Sequence, residues 1–236
     1  MNPQAPSTGS GRGPAALRRP PASSFVLSSL TALVVLAILG GCSLRQASPA
    51  KRTFLLETTL ARSTGPAPAI RPGARPGQSV LRVRDLQVAA PFAGRGFVYR
   101  RGDWQYESDF YHELLVPPRA ALTEQVRLWL RGSSLFASVL ESSSKADAPL
   151  SLEGTVDAFY GDFREKDRPR AVLAIHFVVS DERSASSAIL FQHSYRQEIT
   201  LQQRGPDALV AGWSKALEQV LVELERDLSS RLDQKP

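Results

Sequence analysis

The feature that most constrains this chain is an uninterrupted apolar run near its start, Phe25–Leu39 (FVLSSLTALVVLAIL), which leads into Leu39-Gly40-Gly41-Cys42. Fifteen residues suit the core of a signal peptide, whereas a membrane-crossing helix needs about 20. A polar, basic stretch carrying Arg12, Arg18 and Arg19 precedes the run. Leu39, Gly40 and Gly41 form a lipobox: an aliphatic residue three before the cysteine, then residues without bulk. A cysteine so placed takes a diacylglyceryl group on sulfur, and a peptidase then cuts before it. The alternative is an uncleaved N-terminal anchor whose cysteine is incidental. Both place the remaining chain outside the cytoplasm. The lipobox reading divides the chain into a 1–41 signal peptide, a 42–51 lipidated tether and a 52–232 folded domain.

Removing the leader changes what the composition says. The whole chain carries +6, but the leader holds three arginines and no acid, so 26 basic and 23 acidic residues remain. The basic balance is thus partly a leader effect and gives no footing for nucleic-acid binding. The roughly 195 residues left suffice for one well-buried domain. A single cysteine excludes an internal disulfide. Ser43 in place of aspartate favours the outer membrane, on its periplasmic face, with the inner membrane the alternative. Residues 43–51 span at most ~30 Å.

The pattern of the folded part predicts an α+β domain: one mixed or antiparallel sheet with two main helices on one face. Strands are expected at Arg52–Thr58, Val80–Val88, Phe97–Arg101, Trp104–Ser108, Ala137–Glu141, Leu150–Phe159, Ala171–Ser180 and Ile189–Leu201. The apolar parity of Val80–Val88 switches between Arg84 and Asp85, as a β-bulge would make it do. Gly102-Asp103 reads as a hairpin turn. Ala171–Ser180 is apolar at both parities and so should be central, whereas Ile189–Leu201 has one polar face. Pro117-Pro118 opens a helix to about Leu130 with a Leu122, Val126, Trp129, Leu130 stripe, and Gly132 should stop it. Pro206-Asp207 opens a closing helix to about Leu232 whose stripe runs through Leu209, Trp213, Leu217, Val220, Leu221, Leu224 and Leu228. Residues 62–79, rich in Pro and Gly, read as a loop.

No constellation of catalytic residues emerges. His112, His176 and His193 are scattered, and His176 reads as a satisfied core histidine. Gly94-Arg95-Gly96 is only a fragment of a phosphate-binding loop. Ser142-Ser143-Ser144-Lys145 has S-x-x-K spacing but lies in a serine-rich loop, with no K-T-G following. No enzyme activity, metal or cofactor is expected. The side chains that draw attention are aromatic: Phe97, Tyr99, Trp104, Tyr106, Phe110 and Tyr111, with Arg100 and Arg101 among them. They read either as core packing of the hairpin or as a partner surface made by Tyr99, Arg100, Trp104, Tyr106, Phe110 and Tyr111, since Tyr, Trp and Arg are favoured at interfaces.

The stretch Gly96–Val139 resembles the ABC-type transport auxiliary lipoproteins, the family of PqiC-like subunits. The resemblance is carried by Val98-Tyr99-Arg100, Tyr106-Glu107, Phe110-Tyr111, Pro117-Pro118, Leu135-Phe136 and Val139, supported by Phe54-Leu55-Leu56 and the closing helix. It implies a non-catalytic accessory subunit of an ABC transport system with an MCE (mammalian cell entry) domain, which moves lipid or other hydrophobic molecules across the envelope. The implied partners are the MCE-domain protein and the ABC permease and ATPase, together with the membrane through the N-terminal lipid. Nucleic acid is not among them, and self-association is left open. The alternative is a stand-alone lipid- or glycan-binding lipoprotein in envelope maintenance. A large apolar cavity between sheet and helices would favour that alternative; a filled fold with an exposed aromatic edge would favour docking.

Overall fold

The computed structural model describes residues 50–58, 79–183 and 188–232. The leader, Leu39, Gly40, Gly41, Cys42 and most of the Pro-rich loop lie outside the described residues. Among those described, nine strands and two α-helices make an α+β domain with a single mixed sheet.

Its spine is β7 (Leu150–Asp162). Antiparallel β8 (Arg170–Asp181) covers one edge from Leu150↔Asp181 to Asp162↔Arg170, and β9 (Ala188–Thr200) continues the sheet beyond it. Three short parallel strands share the other edge of β7. They are β2 (Val80–Val83), β3 (Gln87–Val88) and β4 (Gly96–Arg100). β6 (Ser138–Leu140) lies outside β2; antiparallel β5 (Tyr106–Leu114) and then β1 (Arg52–Phe54) lie outside β4. The first strand is shorter than Arg52–Thr58, and Leu56 and Thr58 are buried beyond its end.

The expected second strand is two strands. The parity switch at Arg84-Asp85 is a full break, which turns Leu86 inward over Gly154, and a Cβ on Gly154 would lie 2.4 Å from the Leu86 Cδ2. The Leu86 amide donates to Thr123 Oγ1 at 3.0 Å, which satisfies a donor the sheet has released. β7 has a bulge of its own between Val156 and Ala158. Beyond it, Phe159 and Gly161 take over the helix-facing parity from Leu152, Gly154 and Val156.

Both helices pack on the face formed by the odd residues of β8, Ala171 to Val179, all of them buried. α1 (Pro118–Gly132) begins with proline where its missing N–H costs nothing. Gly132 is its last helical residue rather than its stop; the left-handed residue that turns the chain is Ser134, φ 64°. α2 (Pro206–Leu232) buries its entire predicted stripe, Leu209 to Leu228. The chain enters α2 through Gly205 at φ 155°, which a side chain would strain. The helices meet where the Trp129 indole donates to Glu225 at 2.8 Å. The interface leaves little room: a Cβ on Gly212 would approach Ala171 Cβ to 2.7 Å and Leu201 Cδ2 to 2.5 Å.

The opposite face is mostly open, as the polar parity of β9 predicts. One patch of it is covered by a 3-10 turn, Ala90–Phe92, whose Phe92 ring stacks on Tyr160 at 5.6 Å. His176 lies on this open face, half-buried, with Nδ1 2.9 Å from Ser194 Oγ. It is therefore satisfied, but it is not in the core. Strand β8 is central, yet its even positions are sealed only where Tyr160 and Phe92 reach.

Candidate functional site: an aromatic hairpin and the carboxylate that shapes it

β4 and β5 form the expected hairpin, joined by residues 101–105. Arg101 and Gly102 donate their amides to the Gln105 carbonyl at 2.9 and 3.4 Å. The turn is fastened to the sheet by Asp103, which receives Arg164 Nη1 at 3.0 Å, while Arg164 Nη2 holds Asp162 at 2.8 Å. Arg170 adds a second cation to Asp162 at 3.3 Å. Burial opposes ionisation of Asp162, but the Arg164 and Arg170 contacts win and hold its carboxyl below the ordinary range. On this fixed base, Trp104 is 96% exposed.

The expected surface residues do not share one environment. Tyr99 is only 6% exposed, packed on Phe163 at 5.0 Å with the Arg101 guanidinium 5.0 Å over its own ring. Phe97 is buried edge-on against Trp213. Arg100 is half-buried, donating to the Asp103 carbonyl at 2.9 Å and lying 5.7 Å over Tyr106. Tyr106, 45% exposed, meets Tyr160 edge-on at 5.6 Å on the open face. Phe110 and Tyr111 are 69% and 37% exposed.

Asp109, which is not among the residues the sequence singles out, arranges this end of the hairpin. One carboxylate oxygen accepts the amides of Tyr111 at 2.7 Å and His112 at 3.1 Å; the other receives the Tyr99 hydroxyl at 3.2 Å and lies 2.7 Å from His112 Nδ1. Burial works against the charged form, but these bonds prevail and keep the Asp109 carboxyl below its ordinary value. Burial, together with the Asp109 charge and hydrogen bond, pushes the Tyr99 hydroxyl up. An aspartate binding the amide two residues on is an Asx turn, and Asp109 followed by two aromatics was the available signal.

Among the described residues, no group of three or more His, Cys, Asp or Glu side chains is placed to hold a metal ion. No helix among them is long and apolar enough to cross a membrane. Arg95 of the glycine fragment donates to Glu113 at 2.9 Å and to the Leu114 carbonyl. Ser142 donates to Asp85, and the Ser144 carbonyl is taken by Arg82. A surface groove of about 1040 Å³ runs between the end of β1 and the outer side of α2. Its walls carry Glu57, Asp207, Glu218 and Glu223 against a single cation, Lys215.

The fold is a two-layer α+β arrangement with both helices on one face of a mixed sheet, and it is shared with known structures. A protein from Xanthomonas campestris, described as belonging to the DUF330 family model, has a TM-score of 0.59 and 15% identity, covering 79% of this chain and 98% of that one. A crystal structure of an uncharacterized protein has a TM-score of 0.58 and 17% identity, covering 76% of this chain and 99% of that one. At such identities the likeness is one of fold. No family model matches the chain, and no curated protein matches it in sequence.

Proposed function

We propose that the mature chain is a lipid-anchored, non-catalytic interaction subunit. It is held on the periplasmic side of a membrane, in the first place the outer one, by acylated Cys42. It docks the MCE-domain component of an ABC transport system that moves lipid or other hydrophobic molecules. The observation that carries this reading is Trp104: a large indole almost wholly in water at the tip of a hairpin whose turn Asp103 ties to Arg164. An exposed aromatic on a fixed support is what a partner's pocket can use at low entropic cost. The leader and lipobox support the anchor, and the resemblance over Gly96–Val139 supports the transport system.

The stand-alone lipid-binding reading has less behind it. The sheet–helix layer is filled at Gly212 and Gly154. The groove along α2 lies outside the sheet–helix layer, and its four carboxylates against one lysine disfavour an anionic headgroup. The test is isolation of the acylated protein from solubilised envelopes. Co-purification of an MCE-domain protein with its permease and ATPase is expected; recovery of the protein free of any transporter component, under conditions that keep such complexes intact, would refute the reading.

A further inference from the structure

We propose that the Phe110–Tyr111 side of β5 seats on the lipid bilayer that carries the anchor, its two rings in the headgroup region. The inference rests on the acylation of Cys42 proposed above. Its first support is register. Arg52 pairs with His112, so the chain enters the domain at Lys51 beside Tyr111, on the outer edge of β5. Residues 43–49 separate the acylated cysteine from Ala50, a covalent reach of at most ~30 Å. The part of the domain nearest the anchor along the chain is therefore the part that displays these rings.

The second support is that the display is built. Consecutive residues of a regular strand point to opposite faces. Here the Asp109 carboxylate takes the Tyr111 and His112 amides, and β5 accommodates extra residues opposite Gly96–Val98. Phe110 and Tyr111 consequently meet edge-on with centroids 5.3 Å apart, and Lys51 Nζ caps the Phe110 ring at 4.6 Å. An aromatic pair flanked by a lysine suits the membrane–water interface, where a ring sits in the headgroups and an ammonium reaches water. Lys51 shares Glu113 with Arg95, and Arg52 pairs with Asp207, so these three cations face two carboxylates. With a single positive charge left over, the attraction is mainly interfacial rather than electrostatic. Trp104, in the turn that precedes β5, is left at the other end of the hairpin for a protein partner.

Cys42 is the sole cysteine, and its sulfur is blocked once acylated, so a cysteine introduced elsewhere is a unique thiol. The acylated Lys51→Cys and Trp104→Cys variants, each bearing a polarity-sensitive fluorophore, are reconstituted into vesicles of phosphatidylethanolamine and phosphatidylglycerol containing brominated lipid. The expected result is several-fold stronger quenching at position 51 than at 104, unchanged by added salt and abolished by Phe110→Ser in the Lys51→Cys background. Vesicle flotation reads the anchor separately. Protein that fails to float would overturn acylation and the seating with it. Protein that floats with position 51 as wet as position 104 would overturn the seating alone and assign the rings to a protein partner.

Discussion

The Trp213 indole stacks on Phe159 with ring centroids 4.2 Å apart and planes 26° from parallel, and donates its N–H to the Tyr160 carbonyl at 3.3 Å. Phe97 closes the other side edge-on at 5.1 Å. This stack joins α2, β7 and β4 at one point, and Trp213 within it is 1% exposed. Truncation of a buried tryptophan costs about 3–5 kcal/mol, a large share of a stability of about 5–15 kcal/mol. Trp213→Ala should lower the melting temperature sharply. Trp104→Ala should leave it nearly unchanged. Thermal unfolding followed by circular dichroism checks both; similar losses would mean that Trp104 is packed.

Gly212 faces Ala171 and Leu201 so closely that Gly212→Ala should destabilise by about 1–3 kcal/mol through overpacking, although alanine is the better helix former. Urea unfolding measures it. A stabilised variant would show that α2 can lift away from β8.

Asp109 supplies a pH dependence whose sign follows from its lowered pKa. The contribution of the carboxylate is fully present above its unfolded value of about 3.9 and is lost as pH falls through the lower folded value. Asp109→Ala should cost about 1–3 kcal/mol at neutral pH, since it strips acceptors from two backbone amides and Tyr99. The difference from the parent protein should shrink as pH falls below about 4. A gap that stays constant down to pH 2 would contradict the assignment.

Cys42→Ala should accumulate as uncleaved precursor and take up no labelled palmitate in growing cells. Palmitate incorporated by that variant would place acylation elsewhere.

Strand and helix order was legible because the apolar periodicity is strong: every member of the Leu209–Leu228 stripe is buried, and the parity switch at Arg84 marks a true break. β5 runs past the expected end at Ser108 to Leu114; the Asp109 turn sets Phe110 and Tyr111 side by side and erases the alternation that would show it in the sequence. His176 was misplaced because its exposure depends on how far Phe92 and Tyr160 cover the second face, a tertiary matter that the strand does not encode. Of the proposed surface, the sequence marked the aromatics but could not sort buried Tyr99 from Trp104, since both lie in one hairpin. Asp109 before two aromatics signals an Asx turn, but nothing local reveals that the same carboxylate also receives the Tyr99 hydroxyl from the paired strand.

Site-specific photo-cross-linking from Trp104 tests the central claim most directly. A photoreactive phenylalanine analogue at position 104, irradiated in intact cells, should give one adduct of higher mass whose second component is an MCE-domain protein. The same probe at Lys145, in the loop before β7 and at its other end, should give far less. An adduct from position 145 and none from 104, or adducts from 104 only to lipid, would contradict the hairpin as the docking edge.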